Sequence, residues 1–183
     1  MQNDNNRINI FISHSWANHH PIYQTIVDGL KSNNAYNMQV ADYSVPKDDP
    51  FQTKTAKGLR KELTEQIEPT SVVLILVDDA HTGLSKWMDE ELQIARQYQK
   101  PIVFINLPSR NNPALHTNTT NIPKYVNAND VSKYLEFGIR YIANAPTYNS
   151  NNTVSYYNIN NISSTINSVI TNRRILKDQG RIK

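Results

Sequence analysis

The 183-residue sequence contains no cysteine. That excludes disulfides, thiolate metal sites and a cysteine nucleophile. Glycine is scarce, at Gly29, Gly58, Gly83, Gly138 and Gly180. None of these falls in a G-x-G-x-x-G after a strand or a G-x-x-x-x-G-K-[ST], so neither a Rossmann fingerprint nor a P-loop is present. Long apolar runs are missing too. The longest, Val72 to Val77, is far short of the roughly 20 residues a transmembrane helix needs. Residues 1–7 are polar and lack the apolar stretch of a signal peptide, which makes the cytoplasm the expected compartment. His14, His19, His20, His81 and His116 show no H-E-x-x-H and no His/carboxylate ligand spacing, so no metal site is expected. Charge of one sign is not concentrated either: 19 Lys and Arg against 16 Asp and Glu give a net +3. The most basic stretch, Arg173, Arg174, Lys177, Arg181 and Lys183, reads as a solvated tail rather than a nucleic-acid contact.

What is there is an alternation of strand-like and helix-like segments over residues 7–145. Arg7 to Ile12 is a short β-rich run ending in Ser13-His14-Ser15, and residues 20–31 follow with Ile22, Tyr23, Ile26, Val27 and Leu30 at helical spacing. Met38 to Tyr43 predicts a second strand, stopped by the region of Pro46 and Pro50. Leu59, Leu63 and Ile67 put a second helix over 53–67. Ser71 to Val77 and Pro101 to Asn106 are apolar without alternation, the pattern of parallel strands buried on both faces. A third helix runs from Ser85, a plausible N-cap, to Gln99. A short strand near Tyr125-Val126 and a helix over 130–143, through Val131, Leu135, Ile139 and Ile142, complete the series. Leu107 to Asn121, rich in Asn, Thr and Pro, reads as a long polar loop. Residues 146–183 differ: an Asn-rich linker to Asn161, then a helix from about Ser163 to Lys177 with Ile166, Val169, Ile170 and Ile175. Sequence leaves open whether that helix docks on the core or mediates assembly.

Alternating strands and helices imply βαβ units, a parallel sheet of about five strands and helices on both faces. Ligands in such folds bind at the carboxyl edge of the strands. The loops after Ile12, Tyr43, Val77 and Asn106 are therefore where chemistry is expected. Asp78-Asp79 ends the third strand, where a response-regulator receiver accepts phosphate. That chemistry needs an acidic pair after the first strand to hold Mg²⁺, and Ser13-His14-Ser15 stands there instead. In Trp87-Met-Asp-Glu-Glu91-Leu92, Trp87 and Glu91 are one turn apart on one helix face near the ligand edge. The plain reading is acids complementing a helix dipole. The functional reading is a carboxylate beside an aromatic wall, able to stabilise a cationic transition state. One carboxylate suffices where the leaving group departs neutral from a cationic ring, as nicotinamide does. A one-residue change of helix phase would put Glu90 there in place of Glu91.

Five patches in order carry a resemblance: Ile10-Phe-Ile-Ser-His-Ser-Trp16, Asp42-Tyr-Ser-Val-Pro-Lys-Asp-Asp-Pro50, Leu63 to Ile67 with Pro69 and Val72 to Leu76, Ser85-Lys-Trp-Met-Asp-Glu-Glu-Leu92, and Lys100-Pro-Ile-Val103. Over residues 7–145 the chain resembles a TIR-like domain of the ThsB type, from the bacterial Thoeris anti-phage defence family. The resemblance implies a flavodoxin-like (TIR-like) three-layer fold over 1–145; residues 146–183 lie outside it and read as an Asn-rich linker and C-terminal helical extension. It also implies cleavage of the nicotinamide–ribose bond of NAD⁺ and an ADP-ribose-derived signal, often a cyclic ADP-ribose isomer, that activates an effector. NAD⁺ would be substrate, with no cofactor. By position Glu91 matches the family's catalytic glutamate. Trp87 would wall the pocket, His14, Ser15 and Trp16 would line it, and Tyr43, Ser44, Val45 and Pro46 would form a second loop that admits substrate. Lys47 and Lys54 are candidates, on electrostatic grounds, to meet the pyrophosphate. Asn18 and Asn127 depart from the Asp and Trp common in the family. The alternative is a non-enzymatic TIR-type module that works by self-association or partner binding through the same fold. Self-association is expected in either case.

Overall fold

The structure is a computed structural model and describes residues 7–14, 16–33, 39–42, 55–77, 86–108, 142–144 and 157–182. The elements are β1 (Arg7–Ser13), α1 (Trp16–Ser32), β2 (Gln39–Asp42), α2 (Ala56–Ile67), β3 (Val72–Val77), α3 (Lys86–Gln97), β4 (Ile102–Asn106), β5 (Ile142–Asn144) and α4 (Tyr157–Asp178). The strands form one sheet in the order β2-β1-β3-β4-β5, and every pairing is parallel. The predicted α/β class with a parallel sheet is what the chain adopts.

Unbroken apolar runs make the central strands. All six residues of β3 and all five of β4 are buried, because helices cover both sides of the sheet. On one side, Ile10, Ile12, Val72, Leu74, Leu76, Val103 and Ile105 meet Ile22, Tyr23, Ile26 and Leu30 of α1 and Ile159, Ile162, Ile166 and Val169 of α4. On the other, Phe11, Val73, Ile75, Val77, Ile102 and Phe104 meet Leu59, Leu63 and Ile67 of α2 and Met88, Leu92 and Ala95 of α3. The period-2 alternation of each strand decides which residues go to which side. α2 begins where Thr55, in extended backbone, accepts the N–H of Gly58 on Oγ1 at 3.1 Å.

The outer elements are where sequence and structure part. Ile142 was expected to close the helix over 130–143, and it opens β5 instead, level with Phe104 of β4. A short apolar pair such as Ile142-Ala143 fits strand and helix equally by periodicity, and edge pairing with β4 decides it. The remainder of that helix, the Tyr125-Val126 strand and the Leu107–Asn121 loop beyond Pro108 lie outside the described residues. α4 starts at Tyr157, within the stretch read as linker, because Ile159 and Ile162 are buried against the sheet. Ile175 is 47% exposed and takes no part in that packing. α4 lies on the sheet beside α1.

Two close fits hold α4. A Cβ at Gly29 of α1 would stand 2.6 Å from Ile159 Cδ1, so the helices approach where α1 has no side chain. Asn33 Nδ2 donates to Asn160 Oδ1 at 3.0 Å and to the buried Ser163 Oγ at 2.9 Å. At the amino edge of the sheet, the Lys100 ammonium donates to the carbonyls of Glu68 at 2.6 Å and Thr70 at 2.9 Å, and Arg173 Nε donates to the Gln99 carbonyl at 2.9 Å. Burial, joined by the Arg173 charge, lowers the Lys100 pKa against the opposing pull of Glu68. Among the described residues no helix is long and apolar enough to cross a membrane.

Candidate active site

Parallel pairing brings the carboxyl ends of the strands to one edge. Ser13 of β1 is level with Ile75, and Val77, Asn106 and Asn144 form the last shared row of β3, β4 and β5. That edge is polar where the strands are apolar: Ser13 and Asn106 are both buried there. Both follow the alternation of Phe11 and Phe104, so they lie on the face covered by α2 and α3.

α3 follows β3 and so starts at this edge. Met88, Leu92, Ile94 and Ala95 form its buried face. Glu91, three residues after Met88, falls within that face, between Ala95 and Ile94 around the helix, and is partly buried. The phase of the helix gives three consecutive acids three fates. Asp89 is exposed and accepts from Gln93 Nε2 at 3.0 Å. Glu90 pairs with Arg60 of α2, whose other guanidinium nitrogen donates to Gln97 Oε1 at 3.1 Å. Glu91 turns to the sheet edge, where the Ser13 hydroxyl donates to its Oε2 at 2.5 Å. The choice between Glu90 and Glu91 is thus made by packing: α2 takes the first, β1 the second.

Burial pushes the Glu91 carboxyl up to about 7, with the Ser13 hydrogen bond pulling the other way. A carboxyl poised near neutrality at the ligand edge can work as a charge or as a base. Ser13 is the residue that sequence reading passed over. Its signal was its parity: a polar residue on the same face as Phe11, on the last rung, under an amphipathic helix. His14 goes to the other side. Its Nδ1 is 3.0 Å from the Ile12 carbonyl oxygen, and its ring stacks on Tyr23 of α1 with centroids 4.1 Å apart.

Of the remaining expected site residues, Trp16 is the first residue of α1 and Trp87 the second of α3, one turn before Glu91. Ser15, Tyr43, Ser44, Val45, Pro46, Lys47 and Lys54 lie outside the described residues, as do the Ser85 cap and Asp78-Asp79. Among the described residues no group of three or more His, Asp or Glu is placed to hold a metal ion.

Residues 11–112 match the family described as Thoeris protein ThsB, TIR-like domain, a span that includes Ser13, His14 and Glu91. No curated protein matches the chain. Among solved structures, the fold is similar to a conserved protein from Enterococcus faecalis V583, with a TM-score of 0.54 at 12% identity, covering 88% of this chain and 98% of that one. A flavodoxin, WrbA-like protein from Agrobacterium tumefaciens aligns with a TM-score of 0.46 at 8% identity, over 92% of this chain and 98% of that one.

Proposed function

Since the chain belongs to the TIR-like domain family of the Thoeris protein ThsB, we propose that it cleaves the nicotinamide–ribose bond of NAD⁺ and passes on an ADP-ribose-derived signal. The observation that carries this reading is Glu91: a carboxylate withdrawn from water at the carboxyl edge of the sheet, held by Ser13.

The chemistry asks little of the protein. The C1′–N bond breaks and its electron pair stays on the nicotinamide nitrogen, so the leaving group departs neutral without a proton. Positive charge passes to the ribose ring, as in other oxocarbenium-like glycosyl transfers. The Glu91 carboxylate stabilises that charge, and does so more strongly in a site that excludes water. A hydroxyl or ring atom of the adenosine half then attacks C1′, giving a cyclic isomer; where a hydroxyl attacks, its proton is released, and Glu91 is suited to take it. Exclusion of water favours that outcome over hydrolysis. By the family resemblance Trp87 would wall the pocket, Ser15 and Trp16 would line it, and Tyr43 to Pro46 would form the loop that admits substrate; on electrostatic grounds Lys47 would meet the pyrophosphate. His14, stacked on Tyr23 on the other side of the sheet, does not join them. The protein works in the cytoplasm with NAD⁺ as substrate rather than cofactor, associates with itself through TIR surfaces, and reaches its effector through the nucleotide it makes.

The test is incubation of NAD⁺ with concentrated protein, wild type beside Glu91→Gln, read by liquid chromatography and mass spectrometry. Nicotinamide release by the wild type alone is the expected result, and the product mass distinguishes cyclic from hydrolysed ADP-ribose. Equal release by both proteins would remove Glu91 from the mechanism. No release, in buffer or in extracts of phage-infected cells, would turn the reading toward a non-enzymatic assembly module.

A further inference from the structure

The hydroxyl of Ser13 is fixed by the backbone of β1. Ser13 is the last residue of that strand, is 1% exposed, and is paired level with Ile75 of β3. Its Oγ is 2.5 Å from Glu91 Oε2, a separation typical of a hydroxyl donating to a carboxylate. The donor comes from a central strand of the sheet and the acceptor from a helix 78 residues away in sequence. Glu91 reaches the edge from one turn of α3, with several rotatable bonds, whereas Ser13 is set by the most buried layer of the molecule.

From this geometry we infer that Ser13 is the positioning residue of the site: its hydroxyl fixes which way the Glu91 carboxylate points and favours its charged form at a buried edge. For turnover this rests on the reading of Glu91 as the catalytic carboxylate; as a statement about the Glu91 charge it stands alone.

The surroundings leave this task to Ser13. Burial favours the neutral acid. On α3, Asp89 is held by Gln93 and Glu90 by Arg60. On α2, Lys61 faces Glu65 at the exposed surface. β3 and β4 carry no ionisable residue from Val72 to Val77 or from Ile102 to Asn106. His14 is stacked on Tyr23 on the opposite side of the sheet. Among the described residues, the Ser13 hydrogen bond is the one influence that lowers the Glu91 pKa. The hydroxyl does this without adding a charge, so among the described residues no cation competes with a developing positive charge for the ionised form of Glu91.

The test compares wild type, Ser13→Ala and Ser13→Thr. The Glu91 carboxyl is followed by carbon NMR of protein labelled at glutamate Cδ, its resonance assigned by its loss in Glu91→Gln. Removal of a hydroxyl that holds the charged form should move the titration up by about one pH unit, a tenfold loss of carboxylate on the acid side. Ser13→Thr keeps the hydroxyl and should return the wild-type midpoint. Identical titration in all three proteins overturns the inference. So does a shift in Ser13→Ala that Ser13→Thr does not reverse, since that would assign it to packing. Nicotinamide release, measured on the same samples, should show its acid limb moving with the NMR midpoint. A wild type that never releases nicotinamide, with the NMR shift present, would count against the NAD⁺ reading and leave the Ser13 assignment standing.

Discussion

Glu91 makes the chain less stable as pH rises, and the size of the effect follows from its surroundings. An ordinary glutamate titrates at 4.5, and burial brings Glu91 to about 7. Between those values the folded chain holds a proton that the unfolded chain has released. Stability therefore falls as pH rises from about 4.5 to about 7 and is level beyond both ends. At about 1.4 kcal/mol per unit the full penalty is about 3 kcal/mol. Water reaching the partly exposed side chain reduces it, which leaves about 1–3 kcal/mol. For a chain of this length that is a Tm difference of about 3–10 °C. Glu91→Gln preserves the shape and the acceptor for Ser13 but has no proton to lose. Thermal unfolding of both proteins from pH 4 to 9 should show their melting temperatures diverging from pH 4.5 upward, with the variant higher above pH 7. Parallel curves would refute the claim that Glu91 is desolvated in the folded chain.

Three further outcomes follow from other contacts. Glu90→Gln breaks only the half-exposed pair with Arg60 and should cost under about 1 kcal/mol in urea unfolding, leaving nicotinamide release as in the wild type. Loss of release in that variant would mean that the phase of α3 has been misread. Gly29→Ala should destabilise by about 1–3 kcal/mol although alanine favours helix, because the new methyl meets Ile159. Ile159→Val in the same chain removes Cδ1 and should recover part of the loss, measured as a double-mutant cycle by urea unfolding. Thr55→Ala should cost about 1 kcal/mol through the freed Gly58 N–H, and Thr55→Ser should restore most of it, read by thermal unfolding.

The sheet was legible in the sequence because its central strands β3 and β4 are buried on both faces. Val72 to Val77 and Ile102 to Ile105 have no polar residue to confuse the period, and every one of them is in the core. The outer elements were legible only in part. Ile142 belongs to a three-residue edge strand, too short for any period to declare itself. Ile159 and Ile162 are spaced by asparagines that suggest a linker until the sheet is present to bury them. Glu91 could be singled out but not separated from Glu90, because one residue is 100° of helix and only contact with α2 and β1 sets the phase. Ser13 was hidden for a related reason. A serine at the end of an apolar run reads as the start of a loop, and its role depends on a partner 78 residues distant.

The placement of α4 also governs the order in which the molecule can be completed during synthesis. Fifty residues separate Asn106, the end of β4, from Tyr157, the start of α4. At roughly 5–20 residues per second, the ribosome takes about 3–10 seconds to cross that interval. Throughout it, among the described residues, the side of the sheet bearing Leu74, Leu76, Val103 and Ile105 has only α1 to cover it. The nascent chain thus exposes an aliphatic surface for seconds before its own last helix arrives. A chain that ended before residue 157 would lack the α4 residues that bury this face, and would be expected to self-associate more readily than the full chain.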